Sequence, residues 1–140
     1  MHYDNDNIFA RILRGEIPAF KVYEDGDTLA FMDIMPRSKG HMLVIPKAAM
    51  VNLLDATPEA LAACMGTAQK LARAAQGALG ADGITLMQFS EAAGGQEVFH
   101  LHFHVIPRYT GQALGRPGQM GDMDAIAAIA EKIRTALEAT

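Results

Sequence analysis

The chain has no tryptophan, one cysteine and few aromatic residues, which make up 6% of its 140 positions. A lone cysteine, Cys64, excludes an internal disulfide and fits a reducing compartment. Basic residues are also scarce. Twelve Lys and Arg stand against sixteen Asp and Glu, a formal charge of −4. Surfaces built for nucleic acid or anionic lipid need a basic face, so neither is an expected partner. No apolar run approaches the roughly 20 residues that span a bilayer. The opening "MHYDNDN" is acidic and unlike a secretion signal, so a cytoplasmic location is expected. With half its residues hydrophobic, the chain is long enough to bury a core as one domain over 1–140.

Against that background the histidines stand out. There are five, and three fall in "VFHLHFHVIPR", 98–108, at every second position. Successive side chains on a strand face opposite ways. The spacing therefore predicts a strand with His100, His102 and His104 on one face, roughly 6.5–7 Å apart. Phe99, Leu101, Phe103 and Val105 then face the core. A purely structural sheet has no need of three titratable rings in a row. Two chemistries suit them: ligation of a metal, or catalysis at a phosphorus centre by a neutral imidazole. The preceding "EAAGGQE", 91–97, favours the second. Its glycines allow main-chain N–H groups to approach an anion, and Gln96 offers both donor and acceptor.

The remaining pattern gives the frame. Asn7 caps a short helix carrying Ile8, Ile12 and Leu13, stopped by Gly15. "FKVYEDGDTLAFMDI" reads as two strands around Asp25-Gly26, a turn pair that tolerates positive φ. "HMLVIPK" supplies a central strand over 41–45. Pro58 opens a long helix to about Leu79, and its Ala68, Ala72 and Ala75 allow close helix approach. "GITLMQF" and the histidine segment add two strands, and a last helix runs from near Asp122 to Glu138. The expected fold class is α+β: a five-stranded antiparallel sheet with helices packed to one side, a long helix and shorter terminal ones. The glycine-rich stretch 110–122 reads as a mobile loop.

"GGQEVFHLHFHVIPR" closely resembles the signature of the histidine triad (HIT) family. "IFARILRGEIPAFKVYEDGDTLAFMDIMPRSKGHMLVIPK", 8–47, is similar to the N-terminal half of its bacterial nucleotide-binding branch. The resemblance implies that His102 is the nucleophile toward the α-phosphorus of a nucleotide, forming a nucleotidyl-histidine that water then hydrolyses. It implies that His104 assists the leaving group, that His100 orients the nucleophile, and that His41 packs beside the triad. Asp33 and Ile34 would hold the ribose, while Ile8, Phe9, Ile12 and Phe31 would sandwich a purine base. Ser90, Gly95, Gln96 and Glu97 would line the phosphate. It also implies a homodimer whose interface is formed by the long helix and a sheet edge, joining the two sheets into one, with the family core over 7–109 and a tail over 110–140.

Departures from the family pattern accompany the match. Relatives often carry zinc on a Cys-x-x-Cys pair and histidines. Here Asn7, Ala10 and Ala49 stand at those positions and only His100 survives, so no metal and no cofactor are expected. Glu97 replaces a small hydroxyl residue, and a carboxylate beside phosphate repels it. Phe89 stands where an asparagine is common, with Ser90 next to it. Two other readings therefore stay open: a nucleotide-binding regulatory protein with little catalysis, and a histidine-only metalloenzyme.

Overall fold

The computed structural model describes residues 1–139. It runs α1 (Ile8–Leu13), β1 (Lys21–Glu24), β2 (Thr28–Met32), β3 (Met42–Pro46), α2 (Pro58–Leu79), β4 (Gly83–Met87), β5 (Phe103–Arg108) and α3 (Met123–Glu138). Local chemistry sets the boundaries. The Asn7 side chain accepts from Ala10 N at 2.9 Å and starts α1. Thr57 does the same for α2 through Ala60 N at 3.1 Å, with Pro58 at the first turn and Gly80 closing the helix at φ +67°.

The β1–β2 hairpin forms where expected but by different means. Gly26 does not adopt a positive φ. Instead Asp25 Oδ1 accepts from the N–H groups of Asp27 and Thr28, both at 2.8 Å, and Asp25 N donates to Thr28 O at 3.1 Å. A carboxylate closing a three-residue connection replaces the two-residue turn.

The strands order as β1-β2-β3-β5-β4, and every neighbouring pair is antiparallel. Alternation divides the two faces. Ala30, Met32, Met42, Val44, Phe103 and Val105 point toward Leu71 and Ala75 of α2 and Ile126 and Ile133 of α3. Leu29, Phe31, Leu43 and Ile45 point the other way, onto Phe9 and Ile12 of α1. The helices are therefore not all on one side: α1 covers the opposite face. Ala68 and Ala75 are buried within the chain's own core. Among the described residues no helix is long and apolar enough to cross a membrane.

Two features of this frame position the site. Leu43 lies directly opposite His104 across the β3–β5 ladder, and directly opposed residues share a face. That places His104 on the α1 side. Regular pairing begins only at Phe103, so His100 and His102 precede the strand. Their lead-in segment is held by Leu101 N donating to Met50 O at 2.8 Å. Leu101, Phe103 and Val105 are buried as the alternation requires, while Phe99 is half-buried.

The stretch 110–122 has no helix or strand, yet it is tied down. Gly115 N donates to Arg37 O at 2.7 Å, Arg37 Nε donates to Gly115 O at 2.9 Å, and Gly121 N donates to Ile34 O at 2.9 Å. A Cβ on Gly115 would lie 2.9 Å from Arg37 O, so glycine is needed there for close approach. The expected mobile loop is a strap across residues 34–37.

Candidate active site

The four clustered histidines have partners that fix where each ring proton resides. A main-chain carbonyl only accepts and an amide N–H only donates. His102 Nδ1 lies 2.7 Å from His100 O, so Nδ1 carries the proton and Nε2 keeps its lone pair. His41 Nδ1 accepts from Arg37 N at 3.0 Å, so its proton is on Nε2. That Nε2–H lies 2.9 Å from His104 Nδ1 and 3.4 Å from Asp33 Oδ2. His104 therefore accepts at Nδ1 and carries its proton on Nε2. Among the described residues every buried side-chain nitrogen and oxygen has a partner. Among those residues His102 Nε2 and His104 Nε2 have no hydrogen-bond partner, so both reach solvent. One nucleophilic nitrogen and one N–H donor thus stand on neighbouring rings whose centroids are 5.1 Å apart.

Burial keeps these rings neutral. It pushes His41 down to about 4, aided by the Arg37 charge, and His104 down to about 3, aided by His102, His41 and Arg37. His100 and His102 are lowered by burial too, against the opposing pull of their bonds to Pro46 and His100 carbonyls. Burial raises Asp33, which accepts from Met35 N at 2.8 Å through Oδ1. Neutral imidazoles suit nucleophilic work near pH 7.

The glycine-rich loop is built differently from expectation. The N–H groups of Gly94 and Gln96 donate to Glu91 O at 2.9 and 3.1 Å, and Gly95 N donates to Ala92 O at 3.0 Å. Those three amides close the loop's own 3-10 turn at Ala92–Gly94 and do not point at an anion. Gln96 is buried and spends its amide internally. Its Oε1 accepts from Glu91 N and Asn52 Nδ2 at 2.8 and 3.0 Å, and its Nε2 donates to Val51 O and Val98 O at 2.7 and 3.1 Å. Gln96 therefore shapes the loop. Gly95 is at φ +99° with Phe89 beneath it, and Phe89 lies edge-on to His104 at 5.5 Å. Ser90 Oγ donates to Gln88 Oε1 at 3.0 Å, and Glu97 is exposed at the loop's end.

The apolar candidates separate by depth. Ile8 and Ile34 are 43% and 39% exposed, so both are open to a ligand. Phe9 is buried but packs edge-on to His102 at 4.9 Å. Ile12 and Phe31 lie within the core under α1 and line no open surface. Asn52 and Tyr3 complete the set and are not evident from sequence. Asn52 is fully buried and donates to Glu91 Oε2 at 2.5 Å as well as to Gln96. Tyr3 Oη lies 2.6 Å from His100 Nδ1. Neither belongs to a recognisable spacing, because each acts across more than 35 residues of sequence.

Asp33, His41 and His104 present ligand atoms within 4.8 Å of one another, the shape of a two-histidine, one-carboxylate site. The donor chemistry does not fit a metal. His41 Nε2 bears the proton because Arg37 N occupies Nδ1, so ligation would need an imidazolate or a broken amide bond. His100, which the resemblance would place among zinc ligands, has both nitrogens engaged, by Tyr3 and by Pro46 O at 2.8 Å.

Residues 14–111 match the HIT domain. The chain belongs to the HIT family. A Hit-like protein of Bartonella henselae, described as involved in cell-cycle regulation, is 52% identical with a TM-score of 0.90, covering 96% of this chain and 99% of its own. A zinc-bound histidine triad protein of Mycobacterium smegmatis is 37% identical with a TM-score of 0.87, covering 96% and 94%. The adenosine 5′-monophosphoramidase of Saccharomyces cerevisiae is 36% identical over 134 residues, 94% of this HIT chain and 82% of the yeast protein.

Proposed function

We propose that this HIT protein is a nucleotide hydrolase or transferase that cleaves esters, amides or anhydrides of purine nucleoside monophosphates at the α-phosphorus. The observation that supports it best is the protonation pattern of the site. His102 offers an unprotonated, solvent-reaching Nε2, while the adjacent His104 offers an Nε2–H. In the first step His102 Nε2 forms a bond to phosphorus and the bond to the leaving group breaks, its electron pair departing with that group. His104 Nε2–H donates a hydrogen bond to the bridging atom. A sulfate or carboxylate leaves as its anion, and an amine leaves after taking up a proton from solvent. Water then attacks the same phosphorus, the P–Nε2 bond breaks with its pair returning to His102, and a proton passes to solvent. His100 O holds the Nδ1–H of His102 throughout, which keeps the nitrogen nucleophilic.

Asp33 with Ile34 receives the ribose in this reading, and Ile8 flanks the base. The yeast relative's name favours phosphoramidates as the first substrates to try. The chain works as one domain, its catalytic core over 7–109, and as a homodimer. β4 is an outer strand with Leu86 exposed, and α2 exposes Met65; a second copy would cover them. Light scattering returning a monomer mass would refute the dimer.

A second reading, a nucleotide-binding protein with little catalysis, is favoured by two features. The loop amides are spent internally, and the Glu97 carboxylate sits beside the loop. Turnover of a panel of nucleoside phosphoramidates and dinucleoside polyphosphates separates the two. The hydrolase reading expects turnover by wild type and none by His102→Ala, with AMP binding retained. Equal turnover in both proteins would refute it.

A further inference from the structure

His100 is fully buried, and a buried imidazole needs partners for both ring nitrogens. The Pro46 carbonyl takes the Nε2 side at 2.8 Å and forces the proton there. Nδ1 must then accept, and the donor is the Tyr3 hydroxyl at 2.6 Å. The two rings also meet edge-on, with centroids 5.6 Å apart and planes at 68°. Tyr3 is not a loose end. Asn7 N and Nδ2 both donate to Asp4 O, at 3.2 and 2.7 Å, and Arg14 Nη1 donates to Asn5 O at 2.7 Å, which seats residues 3–7 against α1.

What Tyr3 holds matters because of the other end of His100. The His100 carbonyl is the acceptor that fixes the His102 tautomer. Phe9 packs edge-on to both rings, at 6.5 and 4.9 Å, so a shift of His100 is carried to His102 through side chain and backbone together. We infer that Tyr3 is a positioning residue of this active site: its hydroxyl clamps His100, and through the His100 carbonyl it keeps His102 Nε2 unprotonated and aimed. It occupies the ring nitrogen that the Pro46 carbonyl leaves free. The inference rests on the proposed catalytic role of His102, but its geometric part can be tested without turnover.

The test compares wild type, Tyr3→Phe and a control, Tyr23→Phe. Tyr23 also spends its hydroxyl on a hydrogen bond, to Asp25 Oδ2 at 2.9 Å, but lies away from the histidines. Tyr3 is only partly buried and phenylalanine keeps the ring contact, so the variant should fold. Nitrogen-15 NMR of the histidine rings reads the tautomers, and a nucleoside 5′-phosphoramidate reads kcat and KM. In Tyr3→Phe the His100 Nδ1 signal should shift and His102 should become a mixture of tautomers. Its kcat should fall roughly tenfold at unchanged KM. Tyr23→Phe should behave as wild type. A Tyr3→Phe variant with wild-type kcat overturns the inference. If wild type turns over neither phosphoramidates nor dinucleoside polyphosphates, the hydrolase reading fails and the NMR arm decides: an unchanged His102 tautomer overturns the clamp, and a mixed one supports it.

Discussion

Acid should unfold this protein sooner than its carboxylates alone require, and the histidine cluster sets by how much. An unfolded histidine titrates near 6.5, whereas His41 in the fold is held down to about 4 by burial and by Arg37. Between those values the unfolded chain binds a proton that the folded chain refuses, so stability falls as pH drops from 6.5 toward 4 and levels off below. For His41 alone the loss is about 2 kcal/mol at pH 5 and about 3 kcal/mol once the window is crossed. His104, held down to about 3, adds in the same direction, though the two rings share one hydrogen bond and their effects do not sum. Asp33 acts oppositely, since burial raises its carboxyl and acid favours the fold through that group. Against typical stabilities of about 5–15 kcal/mol, a loss of this size is measurable. Urea unfolding at pH 7.5 and pH 5.0 should show ΔG lower by about 2–4 kcal/mol at the acid value. A difference below about 1 kcal/mol would refute the claim that the cluster is buried and neutral.

Three further outcomes follow from the same contacts. Asn52→Ala removes the donor to Glu91 and Gln96 from a fully buried position and should cost about 2–4 kcal/mol in urea unfolding. Faster hydrogen exchange at Gly94 and Gln96 should accompany it, and unchanged exchange would contradict the loop assignment. Gly115→Ala places a Cβ 2.9 Å from Arg37 O, so the melting temperature should drop by several degrees. An unchanged melt would mean that the strap is not held as described. Asp33→Asn should weaken nucleoside monophosphate binding by roughly 10- to 100-fold in calorimetry, and wild-type affinity would remove Asp33 from the ribose.

Legibility from sequence followed the range of the interaction. α2 was readable because Pro58 is a local signal at its first position, and the helix ends at Leu79, near where it was expected. The strand count and the alternating burial of Leu101, Phe103 and Val105 followed from period-two patterning, but the order β1-β2-β3-β5-β4 did not, because the β3–β5 pairing spans α2 and β4. The hairpin was readable in place but not in mechanism, since a carboxylate acting two and three residues onward replaces positive φ. The side of the sheet that α1 covers was not readable, because a six-residue helix with one apolar stripe fits either face. Within the site, spacing marked the histidines but not their protons, which are set by Arg37 N and the carbonyls of His100 and Pro46. Gln96 looked like a phosphate ligand because its partners Val51 and Asn52 lie some 45 residues away. Tyr3 gave no signal for the same reason.

Attack of His102 Nε2 on phosphorus can be caught by mass spectrometry of the enzyme quenched during turnover of a nucleoside phosphoramidate. A nucleoside monophosphate mass should be added to the peptide containing His102 and be absent from His102→Ala. Active enzyme that carries no adduct, or carries it on another residue, would contradict it.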